Sequence, residues 1–178
     1  EINNIDKKTD LDLIKDFYNW RLPVNARQKQ IAPSGNWTNW LILAGRGFGK
    51  TRTGAEWIRE RVETGEAKRI AIVGKTPADV RDVMIEGESG IITISPPWNK
   101  PDYQPSRRRL VWKNGSVAHI FSSYEPDQLR GPQFDTAWCD ELASWEYVQE
   151  TWDNLMFGLR LGKKPQVCIT TTPRPTQL

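Results

Sequence analysis

Trp40-Leu41-Ile42-Leu43-Ala44-Gly45-Arg46-Gly47-Phe48-Gly49-Lys50-Thr51 is the stretch on which the fold turns. Its first five residues are an unbroken apolar run, suited to a strand buried on both faces of a sheet. Glycines follow at once. Thr51 to Thr64 then sets Ala55, Ile58 and Val62 on one face among Arg and Glu, a helix that Gly65 is placed to end. The loop between them fits GxxxxGK[ST], except that Ala44 stands in the first glycine position. Gly45, Gly47 and Gly49 let backbone N–H groups turn inward on phosphate oxygens, and the helix N-terminus adds positive potential. Lys50 is placed to reach terminal phosphates and Thr51 to ligate Mg²⁺.

Outward from this unit, apolar runs and helical periods alternate. Asp10 to Trp20 carries Leu11, Leu13, Ile14, Phe17 and Tyr18 near helical spacing, with an acidic start that suits a leading helix. Arg69 to Gly74 reads as a second buried strand, and Pro77 opens a helix through Val80, Val83 and Met84. Residues 90–109 hold four prolines that break the alternation. Leu110-Val111-Trp112 and Val117 to Phe121 then flank Lys113-Asn114-Gly115, where Asn-Gly signals an inserted antiparallel hairpin. Thr136 to Cys139 reads as a short strand, Trp145 to Leu159 as a helix, and Val167 to Thr172 as a strand closed by Pro173. Buried strands alternating with helices predict a three-layer α/β domain with a mostly parallel sheet and a ligand at the carboxyl ends of its strands.

A phosphate-binding loop needs a carboxylate on a nearby strand, and Phe134-Asp135-Thr136-Ala137-Trp138-Cys139-Asp140-Glu141 supplies two in succession. The run into them is less aliphatic than is usual for a Walker B strand. Asp140 is placed to hold Mg²⁺ and Glu141 to polarise an attacking water, the division of labour in P-loop ATPases that carry their own base. The predicted class is therefore a P-loop NTPase of the RecA/ASCE type, binding ATP with Mg²⁺.

Composition sets the outer bounds. The chain has 178 residues, enough for one domain spanning 1–178 and one activity. No run of apolar residues is long enough for a membrane span, and the polar start lacks the apolar core of a secretory signal, so a cytoplasmic location is expected. A formal charge of +3 is too small to reveal a nucleic-acid partner. Cys139 and Cys168 sit in apolar runs without zinc-ligand spacing and read as buried thiols. Trp37, Trp40, Trp57, Trp138, Trp145 and Trp152 read as packing residues, and His119, in a strand-like run without a partner motif, as structural.

Four segments together are more specific than the loop: Trp37 to Trp57, Leu129-Arg130-Gly131-Pro132, Trp138-Cys139-Asp140-Glu141-Leu142, and Thr170-Thr171-Thr172-Pro173-Arg174-Pro175. On them the sequence resembles the large terminases of tailed phages and of their relatives in prophages and gene transfer agents. The resemblance implies the ATPase motor domain of that enzyme, which hydrolyses ATP to move double-stranded DNA into a procapsid. It implies as partners DNA, the portal protein, the small terminase subunit and other copies of the chain in a ring, at the portal in the host cytoplasm; in isolation a monomer is an open alternative. Among its residues, Gln30 is similar to the family's adenine-contacting glutamine, preferred over Gln28 on spacing to the loop. Arg46 corresponds to a basic loop residue that senses or stabilises the γ-phosphate. Arg130 corresponds to a finger reaching a neighbouring subunit's ATP, with a simple loop-fixing ion pair as the competing reading. The Thr170 to Thr172 segment corresponds to the coupling motif, with Thr171 taken as its nucleotide-side residue.

Arg107, Arg108, Arg109, Lys113, Arg59, Arg61, Lys163 and Lys164 are basic positions that could meet DNA phosphates, with a solvated charged face as the competing reading. Large terminases also carry a ribonuclease-H-like nuclease after the motor, and 178 residues leave no room for it, so no nuclease activity is expected of this chain. A helicase-like P-loop ATPase shares the loop, the Asp-Glu pair and a threonine motif. A nucleotide-binding remnant without turnover is the other alternative, against which Lys50, Asp140 and Glu141 stand intact.

Overall fold

The computed structural model describes residues 8–174, and Pro175 lies outside them. By spatial proximity the chain divides into residues 1–31 and 32–178. The first unit holds helix α1 (Asp10–Tyr18), started by Thr9, whose hydroxyl accepts from Asp12 N while Asp12 reaches back to Thr9 N. This reciprocal cap satisfies two orphan donors of the first turn. A 3₁₀ turn at Gln28–Gln30 follows.

The second unit is a seven-stranded sheet. Its strands are β1 (Asn39–Leu43), β2 (Arg69–Gly74), β3 (Asp102–Gln104), β4 (Arg109–Val111), β5 (Val117–Ser122), β6 (Thr136–Asp140) and β7 (Gln166–Thr171). They lie in the order β1-β7-β6-β2-β5-β4-β3, with the first five parallel and β4 and β3 antiparallel at one edge. Helix α2 (Lys50–Glu63), α3 (Pro77–Asp79) with the π-helical Val80–Ile85 that continues it, and α4 (Ile91–Ile94) cover one face. Helix α5 (Val148–Gly158) covers the other. Strand alternation sorts the core accordingly: Ile70, Ile72, Ala118, Trp138 and Cys168 join the α2 side, while Ala71, Val73, Ala137, Cys139, Val167 and Ile169 join the α5 side. The predicted three layers are present.

The sequence reading is corrected at four places. Strand β1 is not buried on both faces. Among the described residues it is an edge strand paired only with β7, and within it only Trp40 and Ile42 are buried, whereas Leu41 and Leu43 are 57% and 58% exposed. Their face belongs to the α5 side, and that core contains no residue of β1. The Asn-Gly turn does join β4 to β5, but β5 is an integral strand, parallel to β2, rather than part of an insertion. The proline-rich stretch contributes β3 against β4, which periodicity did not announce. The helix expected from Trp145 begins only at Val148.

The turn Val80–Ile85 closes with Glu86 N on Arg81 O, one residue wider than an α-turn. It presses on the end of β2 so closely that a Cβ at Gly74 would lie 2.7 Å from Val80 Cγ2. Both cysteines are free and buried, and Trp37, Trp40 and Trp57 form a cluster with centroids 6.1–6.4 Å apart. Among the described residues no helix is long and apolar enough to cross a membrane.

Candidate active site at the carboxyl ends of the parallel strands

The loop after β1 turns through Gly47 at φ +77° and Gly49 at φ +88°, left-handed backbone that side chains rarely adopt. No atom lies within 4 Å of where a Cβ on Gly45 or Gly47 would sit, so their backbone faces open space. Gly49 caps α2, and Thr53 donates its hydroxyl to Gly49 O at 2.9 Å, fixing the turn. Lys50 is 8% exposed, donates to Gly45 O at 3.1 Å and lies 3.6 Å from Glu141 Oε1. Thr51 follows it at the first turn, half-buried.

β6 ends in Asp140 and β7 in Thr171, with Asp140 and Thr170 opposite each other in register. Asp140 is 7% exposed and receives the Thr170 hydroxyl on Oδ1 at 2.5 Å. Burial pushes its carboxyl up to about 6; the Thr170 bond opposes that rise, the Glu141 charge adds to it and Lys50 opposes it. Trp145 braces the backbone here, its Nε1–H donating to Asp140 O at 3.0 Å.

Glu141 sits at φ +50°, an uncommon conformation for a residue with a side chain. The surroundings over-determine it: its N–H donates to Thr170 O, and Ser144 donates to its carbonyl through both N–H and Oγ. Its carboxylate receives Thr172 N at 3.1 Å and Thr172 Oγ1 at 2.9 Å. Strain held by several bonds at a carboxylate in a cleft is the pattern of a functional residue. A cleft of about 250 Å³ opens on this pair, lined also by Gly74, Lys75, Val83, Met84 and Arg174.

The three consecutive threonines therefore serve three different partners. Thr170 holds Asp140, Thr172 holds Glu141, and Thr171 accepts from Ala143 N at 3.0 Å, which fixes the loop after Glu141. The block expected as one motif is thus divided. Thr172 is the residue the sequence alone did not single out; its signal is its position one step beyond the end of β7.

The other predicted residues are spread more widely. Arg46 is exposed and makes no hydrogen bond or ion pair among the described residues. Arg130 pairs with Asp127 at 3.0 Å, both largely exposed, and lines a different cleft of about 300 Å³ with Asn154, Phe157 and Arg160. Gln30, in the first unit, is buried, and its Oε1 accepts from Arg27 N at 2.9 Å to close its own turn. Of the basic positions, Arg59 and Arg61 are excluded as DNA contacts. Each is 5% exposed, Arg59 bound to Glu56 and Glu63, and Arg61 to Glu66, Thr136 and Gln166. Arg107, Lys113 and Lys163 are exposed, Arg108 pairs with Glu125, Arg109 donates to Gln104, and Lys164 donates to Gly35 O.

The donor set fits a nucleotide with Mg²⁺. The glycine backbone is open to phosphates, Lys50 is a buried cation beside it, and Asp140 is a buried carboxylate whose pKa is raised by that burial. Mg²⁺ commonly takes one or two protein oxygens together with phosphate oxygens. The Thr51 hydroxyl and the Asp140 carboxylate are of that kind.

A glycine loop between an edge strand and a helix, with paired carboxylates two strands away, defines this chain as a P-loop α/β domain of the ASCE type. The family model for the terminase large subunit, T4likevirus-type, N-terminal, matches residues 41–178. The chain belongs to that family. No curated protein matches it. Among solved structures it is similar to the large terminase ATPase domain of Thermus phage P74-26, at 17% identity and a TM-score of 0.62, covering 85% of this chain and 66% of that one. It is similar to the large terminase of the thermophilic bacteriophage D6E in complex with ADP, at 12% identity and a TM-score of 0.56, over 76% of this chain and 33% of that one. A chain of the bacteriophage Phi-29 genome packaging motor assembly aligns at 16% identity and a TM-score of 0.51, over 76% and 42%. The chain thus spans about two thirds of the first of these structures and less of the others.

Proposed function

We propose that the chain is the ATPase motor domain of a DNA-packaging terminase, hydrolysing ATP with Mg²⁺ to translocate double-stranded DNA into a procapsid. The observation that carries this reading is the convergence of Lys50, at the start of α2, on Asp140 and Glu141 at the end of β6, with Glu141 held in a strained backbone by Thr172 and Ser144. Gly45, Gly47, Gly49 and Lys50 bind the phosphates through backbone N–H groups and the ammonium. Thr51 and Asp140 hold Mg²⁺, which when bound neutralises charge on the phosphates. Glu141 orients the attacking water and takes up its proton, and its two bonds from Thr172 keep the carboxylate aimed. Arg46 stabilises the γ-phosphate from its exposed position on the loop.

Arg130 acts on the ATP of a neighbouring copy. Its exposure and its pairing with an equally exposed Asp127 leave the guanidinium free to exchange partners at low cost. The working state is then a homo-oligomeric ring at the portal in the host cytoplasm, assembled with the portal protein and the small terminase subunit. DNA contacts are to the phosphate backbone, since a motor must move along any sequence. Steady-state ATP turnover measured across a range of protein concentrations tests the assembly. Turnover per chain is expected to rise with concentration and to lose that rise in Arg130→Ala; fast turnover independent of concentration contradicts it.

A further inference from the structure

Trp138 lies two residues before Asp140 on β6, so both side chains project from the same face of the sheet, the one that α2 covers. It is fully buried, where such strands ordinarily carry an aliphatic residue. Its indole is wedged beneath α2 at Gly54, four residues after Lys50; a Cβ there would lie 2.2 Å from Trp138 Cε2 and Nε1. The ring is thus fixed by the backbone of the phosphate-loop helix. Its Nε1–H donates to Thr170 Oγ1 at 2.9 Å. That oxygen lies 2.5 Å from Asp140 Oδ1 and 3.2 Å from Cys139 O.

An indole nitrogen only donates, so the Thr170 oxygen must accept from it. The single hydroxyl hydrogen is then left for an acceptor on the other side, and the closest is the carboxylate. The chain Trp138, Thr170, Asp140 therefore has one direction of donation. We propose that Trp138 is a positioning residue: by fixing the polarity of the Thr170 hydroxyl it holds Asp140 with Oδ1 engaged and Oδ2 presented for a divalent cation. Because the ring is seated on α2, the same chain ties the orientation of the carboxylate to the helix that carries Lys50. The inference rests on the reading of Asp140 as the cation-holding group. Residues that orient a metal ligand in this way commonly change metal affinity by about 10–100-fold when removed.

The test is calorimetric titration of ADP into the chain with and without Mg²⁺, read as the gain in ADP affinity that Mg²⁺ provides. Trp138→Phe keeps an aromatic ring under Gly54 and removes the N–H. It is expected to cut the gain about tenfold while leaving the Mg²⁺-free affinity unchanged. Thr170→Val is expected to do the same, Thr170→Ser to retain the gain, and the double variant Trp138→Phe/Thr170→Val to lose no more than Thr170→Val alone, since both act through one hydroxyl. A full gain in Trp138→Phe, or additive losses in the double variant, overturns the proposal. Where Trp138→Phe does not fold, a full gain in Thr170→Val overturns it equally. Asp140→Asn separates the two levels: if it keeps the gain, the cation reading fails and the proposal with it, whereas loss there beside a full gain in Trp138→Phe removes the proposal alone.

Discussion

Strand β6 begins after one buried aspartate and ends in another, and the two are used in opposite ways. Asp135, 6% exposed, stands just before the amino end and receives Lys68 N and Arg69 N on one oxygen, both at 2.9 Å. Around it Arg61 reaches Thr136 and Gln166, so β6, β7 and the C-terminal half of α2 are clamped by side chains serving one another and the backbone. Asp140 is equally buried, yet its one side-chain donor is Thr170, and its neighbour Glu141 is held in a strained backbone. Helix α2 shows the same polarity, with Arg61 locked into the clamp at one end and Lys50 beside the glycine loop at the other. Asp135 is tied to the backbone of Lys68 and Arg69, whereas Asp140 is held through the Thr170 hydroxyl close to Lys50 and Glu141.

If the contrast is real, substitutions at the two ends separate binding from stability. The largest expected effect is at the carboxyl end. Lys50→Ala should weaken ATP affinity by about 10²–10³-fold, as loss of a buried charge partner does, with little change in Tm; fluorescent-nucleotide titration beside thermal unfolding measures both. At the amino end Asp135→Ala removes the acceptor of two part-buried N–H groups and should destabilise by about 2 kcal/mol in urea unfolding. ATP turnover per folded molecule should be unaltered.

The pH dependence of stability in metal-free buffer gives a third, smaller contrast. The folded-state pKa of Asp140 is raised to about 6 from an ordinary value of 3.8, so the native state holds this proton more tightly than the unfolded chain does. The stability due to the protonated form is complete below about pH 4 and is lost as pH rises through about 6. Asp140→Asn cannot ionise and should avoid this loss, becoming more stable than wild type above pH 6 by roughly 3 kcal/mol, two pKa units' worth. Equal stabilities at pH 8 would break the contrast between the two aspartates. Smallest of all, Asp127→Ala should leave Tm within about a degree, since its pair with Arg130 is exposed and holds nothing in place.

Much of this was legible in the sequence where local pattern decides the outcome. The glycine loop, β2 and the end of α2 at Gly65 fell where periodicity and glycine placed them, because strand and helix periods there coincide with burial. Leu41 and Leu43 misled because an apolar run looks the same whether or not a helix covers its second face, and coverage is a tertiary fact. Arg59 and Arg61 misled for the converse reason: a cation is assumed to be solvated unless its partner is visible, and Thr136 and Gln166 lie 75 and 105 residues away from Arg61. The division of Thr170, Thr171 and Thr172 among Asp140, Ala143 and Glu141 depends on strand register and on how the chain leaves β7, which three identical residues cannot disclose. The two tryptophans that brace the site, Trp138 and Trp145, read only as bulk because a donor's partner is invisible from sequence.

On the proposed reading the strained, threonine-held Glu141 performs chemistry while the clamp beneath it performs none. The most direct test is the single-turnover rate of Mg²⁺-dependent ATP hydrolysis in Glu141→Gln and wild type, at equal nucleotide occupancy. The expected outcome is ATP binding within about twofold of wild type and a rate lower by about 10²–10⁴. Hydrolysis at the wild-type rate would contradict it.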